Sequence, residues 1–312
     1  MKGLAFGNYV ACVSIAAMLL VGCGGAASAP GFAAPADADA SWVLPEAGHE
    51  ALIYVSLVGN GGVGIFSFTG QQVGRLKGPR PGFNGLEAGL CSDRSGNVFV
   101  TDPSTTEIVE YAHGGTKPIE VLSDPNSPVG CSVDPQTGNL AAVSPGGWQR
   151  PGTIDIFKNS SGTPTVYSMP NSAHSYHCAY DDKSDLFITG EERLAGPLQF
   201  VYAELPAGRQ TIQIVPLHVT IRNATELQWD GKFITISDGL HRLYRTVGDK
   251  VVGVTAIGSA WVGDFWIRDN QLVNASGIPY YLGLWKYPAG GPSIERYSLA
   301  YEPLGLTVSA VP

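Results

Sequence analysis

The chain has 312 residues, a formal net charge of -8, and only 15% charged side chains, together with 40 glycines and 22 prolines. Dense Gly and Pro punctuation and a hydrophobic share of 44% favour many short strands over helices. No basic stretch exceeds two adjacent Lys or Arg residues, which argues against a surface that follows a phosphate backbone. We therefore expect an all-β protein without a nucleic-acid partner.

The first 22 residues have the outline of an export signal. Lys2 gives a positive start, the stretch from Leu4 to Val21 is largely apolar, and Leu20-Val21-Gly22-Cys23 resembles a bacterial lipobox. We predict a lipoprotein signal peptide over 1–22 and a diacylglycerol on the Cys23 thiol. The protein would then be exported and anchored to the membrane by this lipid. Because Gly24 stands where an Asp would favour inner-membrane retention, an outer membrane is the preferred location if the cell has one.

Residues 23–45 are rich in Ala, Gly, Pro and Ser and contain few bulky side chains. Such a composition cannot bury enough apolar surface to fold by itself. We predict a flexible, lipid-anchored tether over 23–45 and a folded domain over 46–312.

A ribbon of three short strands recurs through the folded domain. In its clearest copy the strands are predicted at Gly89 to Ser92, Asn97 to Thr101 and Ile108 to Tyr111, with a tight turn at 93–96. The ribbon returns every 40 to 50 residues or so, which is the period of propeller blades. The equivalent positions in five copies are Cys91, Cys131, Cys178, Leu227 and Trp266.

The two ends of the domain complement each other. Leu52 to Ser56 and Val63 to Phe68 have no first strand before them, whereas Pro303 to Val308 has the form of a first strand with nothing after it. Pairing of the C-terminal strand with Leu52 to Ser56 would complete a blade and leave no long sheet edge exposed. The sequence thus predicts a six-bladed β-propeller closed by its C-terminal strand.

Two copies of the ribbon resemble NHL repeats. They read Gly-Leu-Cys-Ser-Asp-x-x-Gly-Asn-Val-Phe-Val-Thr-Asp at 89–102 and Pro-Val-Gly-Cys-Ser-Val-Asp-x-x-x-Gly-Asn-Leu at 128–140. The wider resemblance is to the six-bladed group of gluconolactonase-like and strictosidine-synthase-like proteins, and it covers essentially all of 52–309. The Asn-x-Arg of many NHL repeats is replaced here by Thr105-Thr106-Glu107.

Two recurrent side chains of the ribbon are interpreted as structural. Cys91, Cys131 and Cys178 hold the same place in successive blades, and we expect three thiols packed between blades, too far apart for a disulfide. An Asp follows each first strand, where its carboxylate can accept N–H bonds from the turn. These turn residues are Asp93, Asp134, Asp181, Asp230 and Asp269.

Insertions collect in loops of the third and fourth blades, so we expect the binding surface on that rim. Aromatic, basic, histidine and acidic side chains there could stack on a ligand, pair with its charge or move a proton. The candidate binding residues are Trp148, Arg150, His174, Tyr176, His177, Glu191, Glu192 and Arg193.

The primary functional prediction is a membrane-anchored binding or scaffolding module that needs no cofactor. Its partner would be an envelope protein, a glycan or a small molecule, and a structural subunit of an envelope or secretion assembly is a further hypothesis, because propellers serve all these purposes.

The resemblance to gluconolactonase-like proteins implies an alternative, a divalent-metal-dependent, lactonase-like hydrolase at the mouth of the central channel. Oxygen ligands there would suit Ca²⁺ or Mg²⁺. The Glu-Gly-Pro entry of those enzymes is missing, since only Glu302-Pro303 stands near the corresponding strand, and no Gly-x-Ser-x-Gly elbow is present. The candidate metal ligands are Asn84, Asn126, Glu226, Asp264 and Glu302.

Overall fold

The structure, a computed structural model, describes residues 40–59, 62–78, 83, 89–147, 150–192, 199–221, 224, 226–258 and 261–311. Strands in these ranges form six antiparallel sheets, one per blade. The predicted signal peptide, Cys23 and most of the predicted tether lie outside the described residues. Among the described residues, no helix is long and apolar enough to cross a membrane.

Within the described residues, five blades have four strands each and the first has five. Blade 1 contains β1 (Trp42–Val43), β2 (Leu52–Leu57), β3 (Gly62–Phe66), β4 (Gln72–Leu76) and β25 (Pro303–Ser309). Blade 2 contains β5 (Leu90–Ser92), β6 (Val98–Asp102), β7 (Glu107–Tyr111) and β8 (Pro118–Ser123). Blade 3 contains β9 (Gly130–Val133), β10 (Leu140–Ser144), β11 (Thr153–Phe157) and β12 (Thr165–Ser168).

The remaining blades follow the same order. Blade 4 contains β13 (His174–Tyr180), β14 (Leu186–Glu192), β15 (Gln199–Leu205) and β16 (Gln213–Ile214). Blade 5 contains β17 (Leu227–Trp229), β18 (Ile234–Ser237), β19 (Arg242–Val247) and β20 (Lys250–Ala256). Blade 6 contains β21 (Asp264–Arg268), β22 (Gln271–Ser276), β23 (Tyr281–Lys286) and β24 (Glu295–Ser298). Three short 3-10 helices are Pro45–His49, Lys158–Ser160 and Pro170–Ser172.

Burial is greatest in the second strand of a blade and falls toward its outer edge. The second strands β6 and β10 are wholly buried, whereas the outermost strand β12 is largely exposed. The apolar core lies between neighbouring blades: Phe99 and Leu122 of blade 2 pack in one cluster with Phe157 of blade 3. Each sheet therefore depends on its neighbours to cover its faces.

The predicted ring closure is confirmed. β25 pairs antiparallel with β2 as the innermost strand of blade 1, with Ile53 opposite Val308 and Tyr54 opposite Thr307. The six-bladed propeller predicted from the repeats is thus the fold observed.

The folded domain begins earlier than the predicted boundary between residues 45 and 46. Trp42 pairs with Arg75 and Val43 with Gly74, so β1 adds a fifth, outermost strand to blade 1. This short strand was missed because two residues in a Pro- and Ala-rich context carry no period-two pattern.

The predicted turn chemistry of the recurrent Asp residues is confirmed in four blades. The Asn97 N–H donates to Asp93 Oδ1 at 2.7 Å, and equivalent bonds reach Asp134, Asp181 and Asp230. In blade 6 the turn is made differently, because Asp269 itself adopts a positive φ of 54°.

The prediction of three separate thiols is wrong for two of them. Cys91 and Cys131 form a disulfide between blades 2 and 3, with their Cα atoms 5.6 Å apart. The inner strands approach closely because glycines precede both cysteines: a Cβ on Gly89 would lie 2.4 Å from the Val129 carbonyl oxygen. Cys178 is a free, buried thiol, and its Sγ donates to the Ala141 carbonyl of the preceding blade at 3.9 Å, so the packing prediction is confirmed there.

A buried pair of carboxyl groups lies between blades 2 and 3. Asp124 is 2% exposed and Asp155 is fully buried, and the two carboxyl groups hydrogen-bond to each other. Asn126 joins the pair by donating its backbone N–H to Asp124 at 2.7 Å and its Nδ2–H to Asp155 at 2.9 Å. Burial, and then the charge of Asp155, raise the pKa of Asp124 to about 7. The raised pKa allows Asp124 to keep a proton below about pH 7 and to donate it to Asp155.

Replacing both Cys91 and Cys131 with Ser should lower the free energy of unfolding by about 2–4 kcal/mol, because the disulfide restricts the unfolded chain. Urea unfolding of the two proteins measures this difference. Cys178→Ala, which removes a thiol but no cross-link, is the control. Equal stability of wild type and double variant would contradict the prediction.

The free energy of unfolding should fall as the pH rises from about 4 to about 7. The reason is that unfolded Asp124 releases its proton near its ordinary pKa, whereas folded Asp124 retains it to about pH 7. Asp124→Asn keeps a donor for Asp155 without a titrating proton and should flatten this slope, as measured by urea unfolding at about pH 5 and about pH 8. Part of the slope should remain, because burial and the charge of Asp93 also raise the pKa of Glu110 to about 7. Asp249→Asn, at an exposed position, is the control. If the free energy of unfolding of Asp124→Asn depends on pH as steeply as that of the wild type and the control, the assignment is contradicted.

Candidate functional site at the channel mouth

A cavity of about 650 Å³ opens at the end of the channel where the inner strands begin. Blade 4 contributes Tyr176, His177 and Glu191 to its wall, and blade 6 contributes Asp264 and Ile278. Glu302 and Leu304 of blade 1 complete the wall. The cavity is thus built by several blades that are far apart in the sequence.

A β-bulge places two consecutive side chains of blade 4 at this mouth. Ser175 pairs with Gly190, but the next paired residue is His177, opposite Thr189. Tyr176 is therefore the extra residue of β13, and such an insertion redirects neighbouring side chains. Only glycine fits opposite the bulge, because a Cβ on Gly190 would lie 1.8 Å from the His174 carbonyl oxygen.

Three titratable side chains from three blades meet on the cavity floor. His177 Nδ1 lies 3.5 Å from Glu226 Oε2, and one ligand atom each of His177, Glu226 and Asp264 lies within 4.8 Å of the others. Two backbone groups hold the carboxylates: the Leu227 N–H donates to Glu226 Oε1 at 2.8 Å, and the Leu306 N–H donates to Asp264. We call these three side chains the floor cluster.

The floor cluster carries electrostatic strain that a cation would relieve. Burial, and then the charge of Glu226, raise the pKa of Asp264 well above its usual range, while the Leu306 N–H acts in the opposite direction. Two carboxylates held this close repel each other, and a positive charge between them removes the repulsion. The arrangement therefore favours occupation by a cation.

Next to the floor cluster the channel continues as a smaller chamber of about 200 Å³. Leu90, Val129, Cys131 and Cys178 line it. Burial, and secondarily the charge of Glu226, raise the pKa of the Cys178 thiol well above its usual value. The thiol form has little nucleophilic reactivity, so Cys178 fills space in the chamber and is not a reactive group.

Two large apolar side chains stand exposed at the cavity edge. Trp261 is 62% exposed and Ile278 is 92% exposed, and both line the cavity. The Trp261 backbone is fixed, because its carbonyl accepts bonds from Asn274 Nδ2–H at 2.9 Å and Tyr281 O–H at 3.1 Å. We call Trp261 and Ile278 the apolar rim. Sequence reasoning missed them because they lie in short loops of blade 6, whereas it followed the longer insertions of blades 3 and 4.

The structure brings together three of the predicted binding residues. Tyr176, His177 and Glu191 share the mouth cavity. His174 supports them from the side: its ring stacks on Tyr176 with centroids 6.4 Å apart, and its Nδ1 lies 2.6 Å from the Pro145 carbonyl oxygen.

Arg150 and Glu192 are not among the described residues that line this cavity. Arg150 is exposed, and its backbone exchanges hydrogen bonds with Gly147 in a tight loop. Glu192 is half-buried at the end of β14. Trp148 and Arg193 lie outside the described residues.

The predicted metal ligands divide in the same way. Glu226 and Asp264 belong to the floor cluster, where His177 joins them, and Glu302 is exposed on the cavity wall. Asn126 is engaged at the interface of blades 2 and 3 through its bonds to Asp124 and Asp155. Asn84 lies outside the described residues.

The donor set of the floor cluster fits a divalent cation. One imidazole and two carboxylates are three of the ligands that catalytic zinc sites use, leaving further positions for substrate or water. Because an imidazole takes part, Zn²⁺ suits the cluster better than Ca²⁺ or Mg²⁺, which prefer oxygen ligands throughout.

Comparison with known proteins supports the fold and leaves the function open. No protein-family model and no curated protein matches this sequence. A chain of a nidogen/laminin complex superposes with a TM-score of 0.65 and 12% identity, covering 83% of this chain and 98% of that chain. A chain of the hydrazine synthase of Kuenenia stuttgartiensis superposes with a TM-score of 0.61 and 12% identity, covering 80% of this chain and 83% of that one.

These likenesses show the propeller fold alone. An enzyme and a protein complex both use it, so the fold selects no function for this chain. The choice therefore rests on the chemistry of the channel mouth.

Proposed function

We propose that this protein is an exported, lipid-anchored propeller that binds a partner at its channel mouth. The observation that carries the proposal is the solvent-open cavity of about 650 Å³ bordered by the apolar rim. A pocket with apolar walls and a few convergent polar groups is the usual form of a binding site. Exposed Trp side chains beside such pockets are typical anchors of protein interfaces.

The rim supports a protein-sized partner. The side chains of Trp261 and Ile278 expose apolar surface to water. A partner that covers this surface would gain about 25 cal/mol of binding free energy per Å² of apolar area buried. The superposed chain from the nidogen/laminin structure shows a propeller of this shape present in a protein complex. A lipid on Cys23, joined to the propeller by the predicted tether, would hold the binding face at the envelope.

Replacing the apolar rim should abolish partner capture without unfolding the propeller, because both side chains are largely exposed. The test compares the immobilised mature protein with Trp261→Ser/Ile278→Ser, using detergent extracts of the native envelope and mass spectrometry of the captured proteins. The double variant Ile119→Ser/Val254→Ser removes apolar side chains of similar exposure from outer strands and should capture as wild type does. If the rim variant still captures the same proteins and the melting temperatures are unchanged, the apolar rim is not the binding surface.

The floor cluster supports a second candidate, a metal-dependent hydrolase related in mechanism to lactonases. A divalent cation on His177, Glu226 and Asp264 would polarise a lactone carbonyl and activate water. The chain's own residues would supply the ligands, and the open cavity beside them has room for the substrate.

Under this second candidate, dialysed protein should gain thermal stability when Zn²⁺, Mg²⁺ or Ca²⁺ is added, because ligand binding to the folded state alone raises the melting temperature. Asp264→Asn should lose the gain and any metal-dependent lactone hydrolysis. Asp249→Asn, in an exposed hairpin turn, is the control. If no cation shifts the melting temperature of the wild-type protein, the hydrolase candidate is excluded.

A further inference from the structure

We infer that the partner inserts an arginine or lysine side chain into the mouth cavity, with an apolar residue beside it covering Trp261 and Ile278. This inference rests on the proposed binding function and specifies the chemistry that the site recognises. Three features argue for it: the charge of the lining, the apolar walls along the way in, and the exposure of the rim.

The described lining of the mouth is acidic. It contains Glu191, Asp264 and Glu302, with Glu226 directly beneath, whereas no described lining residue is Lys or Arg. His177 is the one group there that can become positive, and it already lies 3.5 Å from Glu226. Among the described lining residues the acidic groups outnumber the basic ones, and such a lining favours a positively charged occupant.

The walls suit a cation on an apolar stem better than a bare ion. Leu304 lines the cavity together with Trp261 of the apolar rim. The methylene groups of Arg or Lys can lie on such surfaces while the charged end reaches the carboxylates. Tyr176 and Trp261 add aromatic faces, which attract guanidinium and ammonium groups.

The rim indicates that the cation belongs to a protein. Ile278 is 92% exposed at the edge of the cavity, where a small molecule seated on the floor cluster would leave much of it in water. A polypeptide carrying the basic side chain would place its neighbouring residues against Ile278 and Trp261. We therefore assign the site to a basic residue flanked by an apolar one.

A matched set of peptides tests the assignment. Fluorescein-labelled peptides Gly-X-Arg-X-Gly, with X as Gly, Ile, Phe or Trp, are titrated with the mature protein while fluorescence anisotropy is measured. A second set replaces Arg with citrulline, which keeps the shape and removes the charge. We expect saturable binding of Arg peptides with apolar X, and binding of the citrulline peptides weaker by about 30-fold or more.

Variants locate the binding. Glu226→Gln and Asp264→Asn should each weaken binding of the Arg peptide by about 30-fold or more, because each removes one buried charge partner. Glu46→Gln, an exposed site on the 3-10 helix Pro45–His49, should bind as wild type does. Trp261→Ser should abolish the preference for apolar X while leaving the preference for Arg over citrulline.

Equal binding of Arg and citrulline peptides, or no binding of any peptide at about 1 mM protein, would overturn the inference. Binding of Zn²⁺ alone, with no peptide bound, would likewise overturn it and leave the metal as the occupant. The capture experiment separates this failure from that of the proposed function. Capture that depends on Trp261 and Ile278 while the peptides fail means that a partner binds with another chemistry; loss of both means that the mouth is not a binding site.

Discussion

The close approach of the six innermost strands around one axis is the constraint on which the rest of the structure depends. Between blades 2, 3 and 4 it requires residues without side chains: a Cβ on Gly89 or Gly130 would lie within 2.7 Å of a backbone atom of the next inner strand. The same proximity brings Cys91 and Cys131 into bonding distance. It also brings His177, Glu226 and Asp264 together at the mouth, although each comes from a different blade. The close packing of the inner strands and the floor cluster thus both result from the convergence of the blades on one axis.

A site built in this way has no local counterpart in the sequence. Each blade contributes one or two side chains at the beginning of its inner strand, and the chemistry exists only where the blades converge. Carboxylates of the floor cluster repel one another, and backbone N–H groups of Leu227 and Leu306 partly offset the repulsion. The unfavourable charge arrangement at the axis therefore persists because the apolar clusters between blades stabilise the fold around it. Such an arrangement is expected of a surface that is completed by another molecule.

The sequence predicted the regular parts of the molecule well, because they repeat. The period of the ribbon and the strand order that closes the ring follow from the repeat itself. The turn carboxylates of Asp93, Asp134 and Asp181 follow a local rule that recurs in four blades. What it missed depends on contacts between blades. The Cys91–Cys131 disulfide required the distance between neighbouring inner strands, and the Asp124–Asp155 pair joins a link of one blade to a strand of the next. At the mouth, the sequence identified Glu226, Asp264 and His177 as candidates, but only the fold shows that they converge. It gave no signal for Trp261 and Ile278, which are apolar residues in short loops.

Closure by β25 also determines the order in which the ring can be completed. β2 begins at Leu52, yet its inner partner ends at Ser309, so blade 1 stays unfinished until almost the whole propeller has been synthesised. Until then β2 presents an unpaired edge, which in a β-protein is a template for pairing with other chains. The pairing of β2 with β25 also joins residues far apart in the sequence, and such a long closure carries a high entropic cost. A propeller of this design would need its unfinished first blade protected during synthesis, because the strand that closes the ring is among the last to become available.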